Sequence, residues 1–378
     1  MRIALVFGLC LIAFAASAGP RSQPVTDEAV AAERLGEIDR ARLNENVVTI
    51  MAGAPGGTGL SIAYDLAEVL DDGNNLRVVP MIGKGVEQNV RDLLYLRGVD
   101  MAITQANILK HFARTGALGP NLGNQITYVA KLFNEEMHVL VRPEITDISQ
   151  LGGHVVSLGE EGSGSHVTAR LVFDALGVAV EAVHLGDAEA IAKLKSGEIA
   201  AAVMLGGKPA PIVAHLEDAA GLRLLPIPYN KELENDYYPA TLQHDDYPEL
   251  IAEGESIDTV SVCAVLVAFN WPKKSERAKK VAKFVDAFFS KFDAFREPPR
   301  HPKWREVNFA ATLEGWTRSP IAQSWIARAP QPAQTASRNN FDAFLAQTAQ
   351  AGGVPGSKSE RAELFRSFLE WSKTRTSN

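Results

Sequence analysis

Apolar positions along the chain come in short runs whose spacing switches between two periods. Residues 47–53 ("VVTIMAG") form a continuous apolar run of strand length, and residues 59–70 ("GLSIAYDLAEVL") then carry apolar side chains at helical spacing. The alternation continues with a strand over 76–83, interrupted by Pro80, a helix over 86–98 stopped by Gly98, and a strand over 99–105. A β-α-β-α-β order of this kind predicts a parallel sheet with helices on its faces.

The pattern then restarts. Two strands close together are predicted over 126–133 and 137–143, and another over 154–159, followed by the turn "EEGSGS" and a helix over 166–177. A strand over 180–185 leads to a helix over 187–197, with Asp187 as N-cap and Gly197 as stop. Further strands are predicted over 199–207 and 222–228, with a helix over 210–221 between them. A polar, Tyr/Pro-rich crossover precedes the β-branched run 258–270, which reads as one strand or two abutting. An amphipathic helix follows over 275–295. The expected organisation is an N-terminal lead-in (19–45), one α/β lobe from 46–135 and 245–295, a second from 136–244, and a helical C-terminal extension (296–378) ending in "SERAELFRSFLEWSKT". Two such lobes leave a cleft between them, the usual place for a small ligand. The site in open α/β sheets lies beyond the carboxyl ends of the strands.

Composition narrows the function classes. Lys and Arg number 38 against 45 Asp and Glu in 378 residues. No basic block interleaved with aromatics stands out, which argues against a nucleic-acid partner. The opening "MRIALVFGLCLIAFAASAGP" has a positive residue, an apolar core and the small-residue site Ala16-Ser17-Ala18, the pattern of an export signal cut after Ala18. The expectation is therefore an exported, periplasmic protein. Beyond that segment a single cysteine remains, Cys263, in an apolar strand run where it reads as a small core residue. The histidines are scattered without the spacing of a metal site, so neither metal nor cofactor is expected.

Two glycine-rich turns follow strands and open helices. "GAPGGTG" contains neither a P-loop nor a dinucleotide fingerprint. It leaves a nest of N–H groups at a helix start, suited to an anion such as a carboxylate, with the Thr58 hydroxyl beside it. "GEEGSGSHVTA" repeats the logic with Ser163, Ser165 and Thr168. A serine nucleophile at Ser163 is the sharper alternative, although Glu161 occupies the place of the first glycine in a G-x-S-x-G elbow. Gly85, Gln88 and Asn89 at one helix start, and Thr104, Gln105 and Asn107 at a strand end, add polar groups at the same edge.

In this order the motifs resemble those of the TAXI family, the solute-binding subunits of a class of TRAP transporters. The segments "GAPGGT", "VEQNVRDLLYLRGVDMAITQANI", "LGGHVVSLGEEGSGSHVTARLVFDALG" and "AIAKLKSGEIAAAVMLGGKPAPIV" carry the likeness, over about residues 47–295. It implies a bilobed type II periplasmic-binding-protein fold rather than an enzyme. It also implies capture of a small acidic solute (glutamate, glutamine or a related dicarboxylate) and its delivery to a membrane permease. The matching positions are Gly57, Thr58, Asn89, Gln105, Ser163, Gly164 and Ser165, with Gly207 and Pro209 shaping the wall. Two positions depart from the family: Gly59 and Leu60 stand where an aromatic pair is usual, and Val86 where a serine is frequent. Two other classes fit the same residues: an exported hydrolase or transferase using Ser163, and a solute sensor for a membrane kinase.

Overall fold

The structure is a computed structural model that describes residues 27–73, 75–216 and 221–328; the expected export signal and the final helix lie outside the described residues. The described residues up to Glu45 and those from Asn46 onward form separate compact units. In the first, α1 (Asp27–Glu45) is a largely polar helix whose Leu35 and Ile38 are exposed.

The second unit begins β1 (Val47–Met51), α2 (Thr58–Leu70), β2 (Arg77–Met81), α3 (Val86–Tyr95), β3 (Met101–Gln105), α4 (Ala106–Thr115), α5 (Leu122–Gln125) and β4 (Ile126–Val141). It continues with β5 (Val155–Ser157), α6 (Gly164–Leu176), β6 (Glu181–Val183), α7 (Asp187–Ser196), β7 (Ala201–Gly206), α8 (Pro211–Ala214) and β8 (Arg223–Leu224). The chain then forms β9 (Tyr238–Gln243), β10 (Ser256–Phe269), α9 (Glu276–Ser290) and α10 (Pro320–Arg328). Among the described residues no helix is long and apolar enough to cross a membrane.

The strands run in the order β2-β1-β3-β10-β4-β7-β5-β6. Each end of this sheet is a parallel trio: β2-β1-β3 on one side and β7-β5-β6 on the other. Between them β4 and β10 pair antiparallel, β10 also against β3 and β4 also against β7. Each trio is covered on both faces. The first packs Leu66 of α2 and Phe284 of α9 on one face, and Val90 of α3 and Phe112 of α4 on the other. The second packs Phe173 of α6 on one face and Leu194 of α7 on the other. The result is the bilobed α/β fold expected, with β4 and β10 as the shared spine.

Several elements differ from expectation. The two strands expected over 126–143 are one, β4, because the polar stretch Asn134-Glu135-Glu136 stays extended and pairs with β10. The run 258–270 is likewise one strand with two register shifts. Helix α3 ends at Tyr95, before Gly98, because Leu96 is already extended. Gly186, not Asp187, caps α7, and Asp187 becomes an acid in its first turn, where the helix dipole favours it. The helix expected over 210–221 is described only as the single turn α8. Elements outside the expectation include α4, closed by left-handed Gly116, the short α5, and β9 inside the polar crossover, where Pro239 is tolerated because β9 pairs only with β10.

The described part of the C-terminal extension is docked on the first lobe. Trp304 is fully buried among Phe288, Phe292 and Phe295, and its indole N–H donates to Asp65 of α2 at 2.8 Å. The same carboxylate accepts the His301 N–H at 2.9 Å.

Candidate functional site

Each glycine turn meets the opposite side of the spine, the first at Gly207 and the second at Gly85 and Gln105. On the first lobe Gly57 is the extended N-cap of α2, and Thr58 is buried behind it. Thr58 Oγ1 accepts the N–H of Gly207, the residue after β7 in the second lobe, at 3.0 Å. On the second lobe Ser163 caps α6, its hydroxyl accepting the His166 N–H at 3.1 Å. The helix thus starts two residues before the expected boundary, and Gly164 and Ser165 form its first turn. Ser165 Oγ accepts the Leu205 N–H at 3.0 Å, tying that turn to β7.

Close backbone approach explains the glycines here. A Cβ at Gly85 would lie 2.6 Å from Gly162 O and 2.9 Å from the Ser163 Cα, both backbone atoms of the other lobe. A Cβ at Gly207 would meet the Lys303 side chain at 2.9 Å, and one at Gly164 would collide with the Gln105 amide. Cross-lobe hydrogen bonds accompany these approaches: Glu87 N–H to Gly162 O at 3.4 Å, and Asn107 Nδ2 to Thr168 Oγ1 at 2.9 Å.

Gln105 closes β3 and reaches Glu135 of β4, its Nε2 donating to Oε2 at 2.5 Å. Burial pushes the Glu135 carboxyl up to about 7, with the Gln105 hydrogen bond opposing and the Glu136 charge adding to the rise. Glu136 faces the other way. It takes the Lys303 ammonium at 2.8 Å and the Lys208 N–H at 2.8 Å. Lys303 also meets Glu306 at 2.7 Å and is itself only 1% exposed. Burial raises the Glu136 carboxyl too, with Lys303 opposing.

Of the expected site residues, Thr58, Gln105, Ser163, Gly164, Ser165 and Gly207 converge on this junction. Asn89 lies beneath it, fully buried, with Nδ2 donating to the carbonyls of Ala52, just after β1, and Ile103, in the middle of β3. Pro209 is exposed behind a cis peptide bond to Lys208. Glu135, Glu136 and Lys303 were not expected. Glu135 and Glu136 fall in the gap between the strands expected over 126–133 and 137–143, and Lys303 lies in a stretch with no periodicity. A lone lysine beside a tryptophan was the only hint. Ser163 Oγ faces the His166 N–H, while His166 Nδ1 accepts the Gly162 N–H at 3.0 Å.

A two-lobed α/β body whose facing helix starts and strand ends meet over a two-strand spine is the architecture of a ligand-binding protein of the type II periplasmic class. The chain belongs to the NMT1-like family, whose model matches residues 50–315. Among solved structures it is similar to one described as a periplasmic transporter, at 16% identity over 67% of this chain and 84% of the other, with a TM-score of 0.44. It is also similar to the periplasmic binding protein BugD, at 14% identity over 69% and 85% with a TM-score of 0.44. A third likeness is to the aliphatic sulphonate binding protein SsuA from Escherichia coli, at 18% identity over 81% and 93% with a TM-score of 0.41. All three are distant likenesses.

Proposed function

We propose that the protein is an exported solute-binding subunit of a TRAP-type transporter of the TAXI group. It captures a small acidic organic solute by lobe closure and hands it to a membrane permease. The observation that carries this reading is the meeting of two helix starts from opposite lobes, α3 at Gly85 and α6 at Ser163, with the α2 start tied to the second lobe through Thr58 and Gly207. Aligned N–H groups there favour a carboxylate, and contacts from both lobes make the ligand stabilise the closed form. Gly57, Thr58, Gln105, Ser163, Gly164 and Ser165 are the proposed contacts. Asn89 acts from below by holding the carbonyls of Ala52 and Ile103 in place, and Gly207 and Pro209 form the wall.

The test is a thermal-shift screen of the purified protein against amino acids, dicarboxylates, 2-oxoacids and sugars. A ligand at a hundred times its dissociation constant adds about 2.7 kcal/mol of stability. We expect an acid to raise the melting temperature, and Thr58→Val and Ser163→Ala each to weaken that response. A shift produced by sugars alone, or an acid response untouched by both substitutions, rules this reading out.

A further inference from the structure

A cavity of about 840 Å³ lies away from the junction, on the first lobe between α9, α10 and the end of β10. Phe269, Trp271, Val281 and Ile321 give it an apolar wall. α10 is seated by Trp325, which stacks on Phe289 of α9 at 4.7 Å, and small residues of both helices, Ala278, Ala282 and Ala327, keep the groove between them open. The indole N–H of Trp271 is buried and meets no acceptor among the described residues. A buried donor without an acceptor is costly, so an occupant that brings an oxygen to it is favoured. Lys273, Lys279 and Arg328 stand at the rim, and no acidic side chain lines the cavity. Glu276 pairs with Lys279 at 2.7 Å from outside that lining. The groove therefore suits an apolar occupant with negative charge along one edge.

Arg328, the last described residue, belongs to the wall, and the sequence continues from 329 to 378. Residues 359–374, "SERAELFRSFLEWSKT", have the chemistry the groove suits. Leu364, Phe368 and Trp371 recur at helical spacing, with Phe365 and Leu369 beside them. The same spacing sets Glu360, Glu363 and Glu370 along one flank of this stripe, with Arg366 and Lys373 farther round. A segment tethered to the groove wall meets it at high effective concentration, ahead of any free partner.

We infer that residues 359–374 dock as a helix in this groove of the same chain. The stripe from Leu364 to Trp371 covers the apolar wall, and the acidic flank faces Lys273, Lys279 and Arg328. The groove borders Thr127 of β4 and Phe269 of β10, so the docked segment braces the end of the spine that lies in the first lobe. The inference is independent of the solute and of the solute-capture reading.

The experiment places the photoreactive p-benzoylphenylalanine at position 368 of the full chain and maps its crosslinks by mass spectrometry. We expect crosslinks within one chain to peptides covering 268–282 or 319–328. Crosslinks to any other surface, or none, overturn the inference. Crosslinks that join two chains and vanish on dilution overturn it in favour of a second copy as the donor of the segment. Amide exchange supplies an independent reading. In the full chain, Phe368→Asp should speed exchange in 319–328 by roughly tenfold or more, as expected when a covering segment leaves. Lys273→Glu combined with Lys279→Glu should act in the same direction. Unchanged exchange in β3 shows that each variant keeps its fold. Exchange in 319–328 that is blind to Phe368→Asp overturns the inference, and a small amphiphile retained by the wild type in native mass spectra would then assign the groove to a ligand.

Discussion

Glu135 is a residue whose burial works against the charged form of its own side chain. It is 8% exposed, and burial raises its carboxyl to about 7 from an ordinary 4.5. The charged groups around it are Glu136, which adds to the rise, and Lys303, which opposes it. Between pH 4.5 and 7 the folded protein keeps a proton that the unfolded chain has lost. Its contribution to stability is therefore full below about pH 4.5 and is lost as pH rises through about 7. Glu135→Gln removes the titration. In the absence of solute at pH 8 the variant is expected to be about 2–3 kcal/mol more stable than the wild type, and near parity at pH 4.5. Urea midpoints at the two pH values decide it, and equal midpoints at pH 8 refute the assignment. The sequence showed this junction only in part. Thr58, Gln105, Ser163 and Gly164 were legible because a strand end or helix start is a local feature. Glu135 was not, because only its partner Gln105, 30 residues away in the chain, distinguishes a buried acid from a solvated one.

At the scale of elements, the informative piece is the single turn of 3-10 helix over Pro302–Glu306. Sequence spacing left it in an extension outside the lobes, since "PRHPKWRE" has neither helical nor strand periodicity. In the structure it reaches three places at once: Trp304 and His301 hold α2 through Asp65, Lys303 holds Glu136 on the spine, and the Lys303 stem packs on Gly207 of the second lobe. Removing one partner of a buried ion pair leaves the other charge uncompensated, at about 3–5 kcal/mol. Lys303→Met is expected to cost about 3 kcal/mol in denaturant unfolding, and adding Glu136→Gln should recover most of it. A Lys303→Met variant within about 0.5 kcal/mol of the wild type would show that the pair is not coupled to folding. The spine strands teach a related lesson. Polar residues inside β4 read as a break, yet Glu135 and Glu136 remain in the ladder with β10 because their side chains find partners, Gln105 at the end of β3 and Lys303 off the sheet. Strand length was set by tertiary pairing that no single run of residues contains.

At the scale of the molecule, the two lobes approach so closely that glycine at position 85 is a condition of closure. Its φ of 151° and the backbone atoms of Gly162 and Ser163 opposite leave no flexible side chain to give way. Gly85→Ala should therefore bias the protein toward the open arrangement. Apparent affinity falls in proportion to the fraction of molecules able to close, and a loss of tenfold or more is expected for whichever solute the screen identifies. Amide hydrogen exchange separates this from direct damage to the site. The N–H groups of Glu87 and Gly207 are bonded across the lobes, to Gly162 O and Thr58 Oγ1. Solute should slow exchange in peptides containing these two amides in the wild type, and much less in Gly85→Ala. Strand amides of β10, bonded within the spine in either arrangement, should be indifferent to both ligand and substitution. If Gly85→Ala binds with wild-type affinity and shows the same protection at Glu87 and Gly207, the lobes do not need this contact to close. Capture would then depend on the helix starts alone, with the fit between the lobes following binding instead of permitting it.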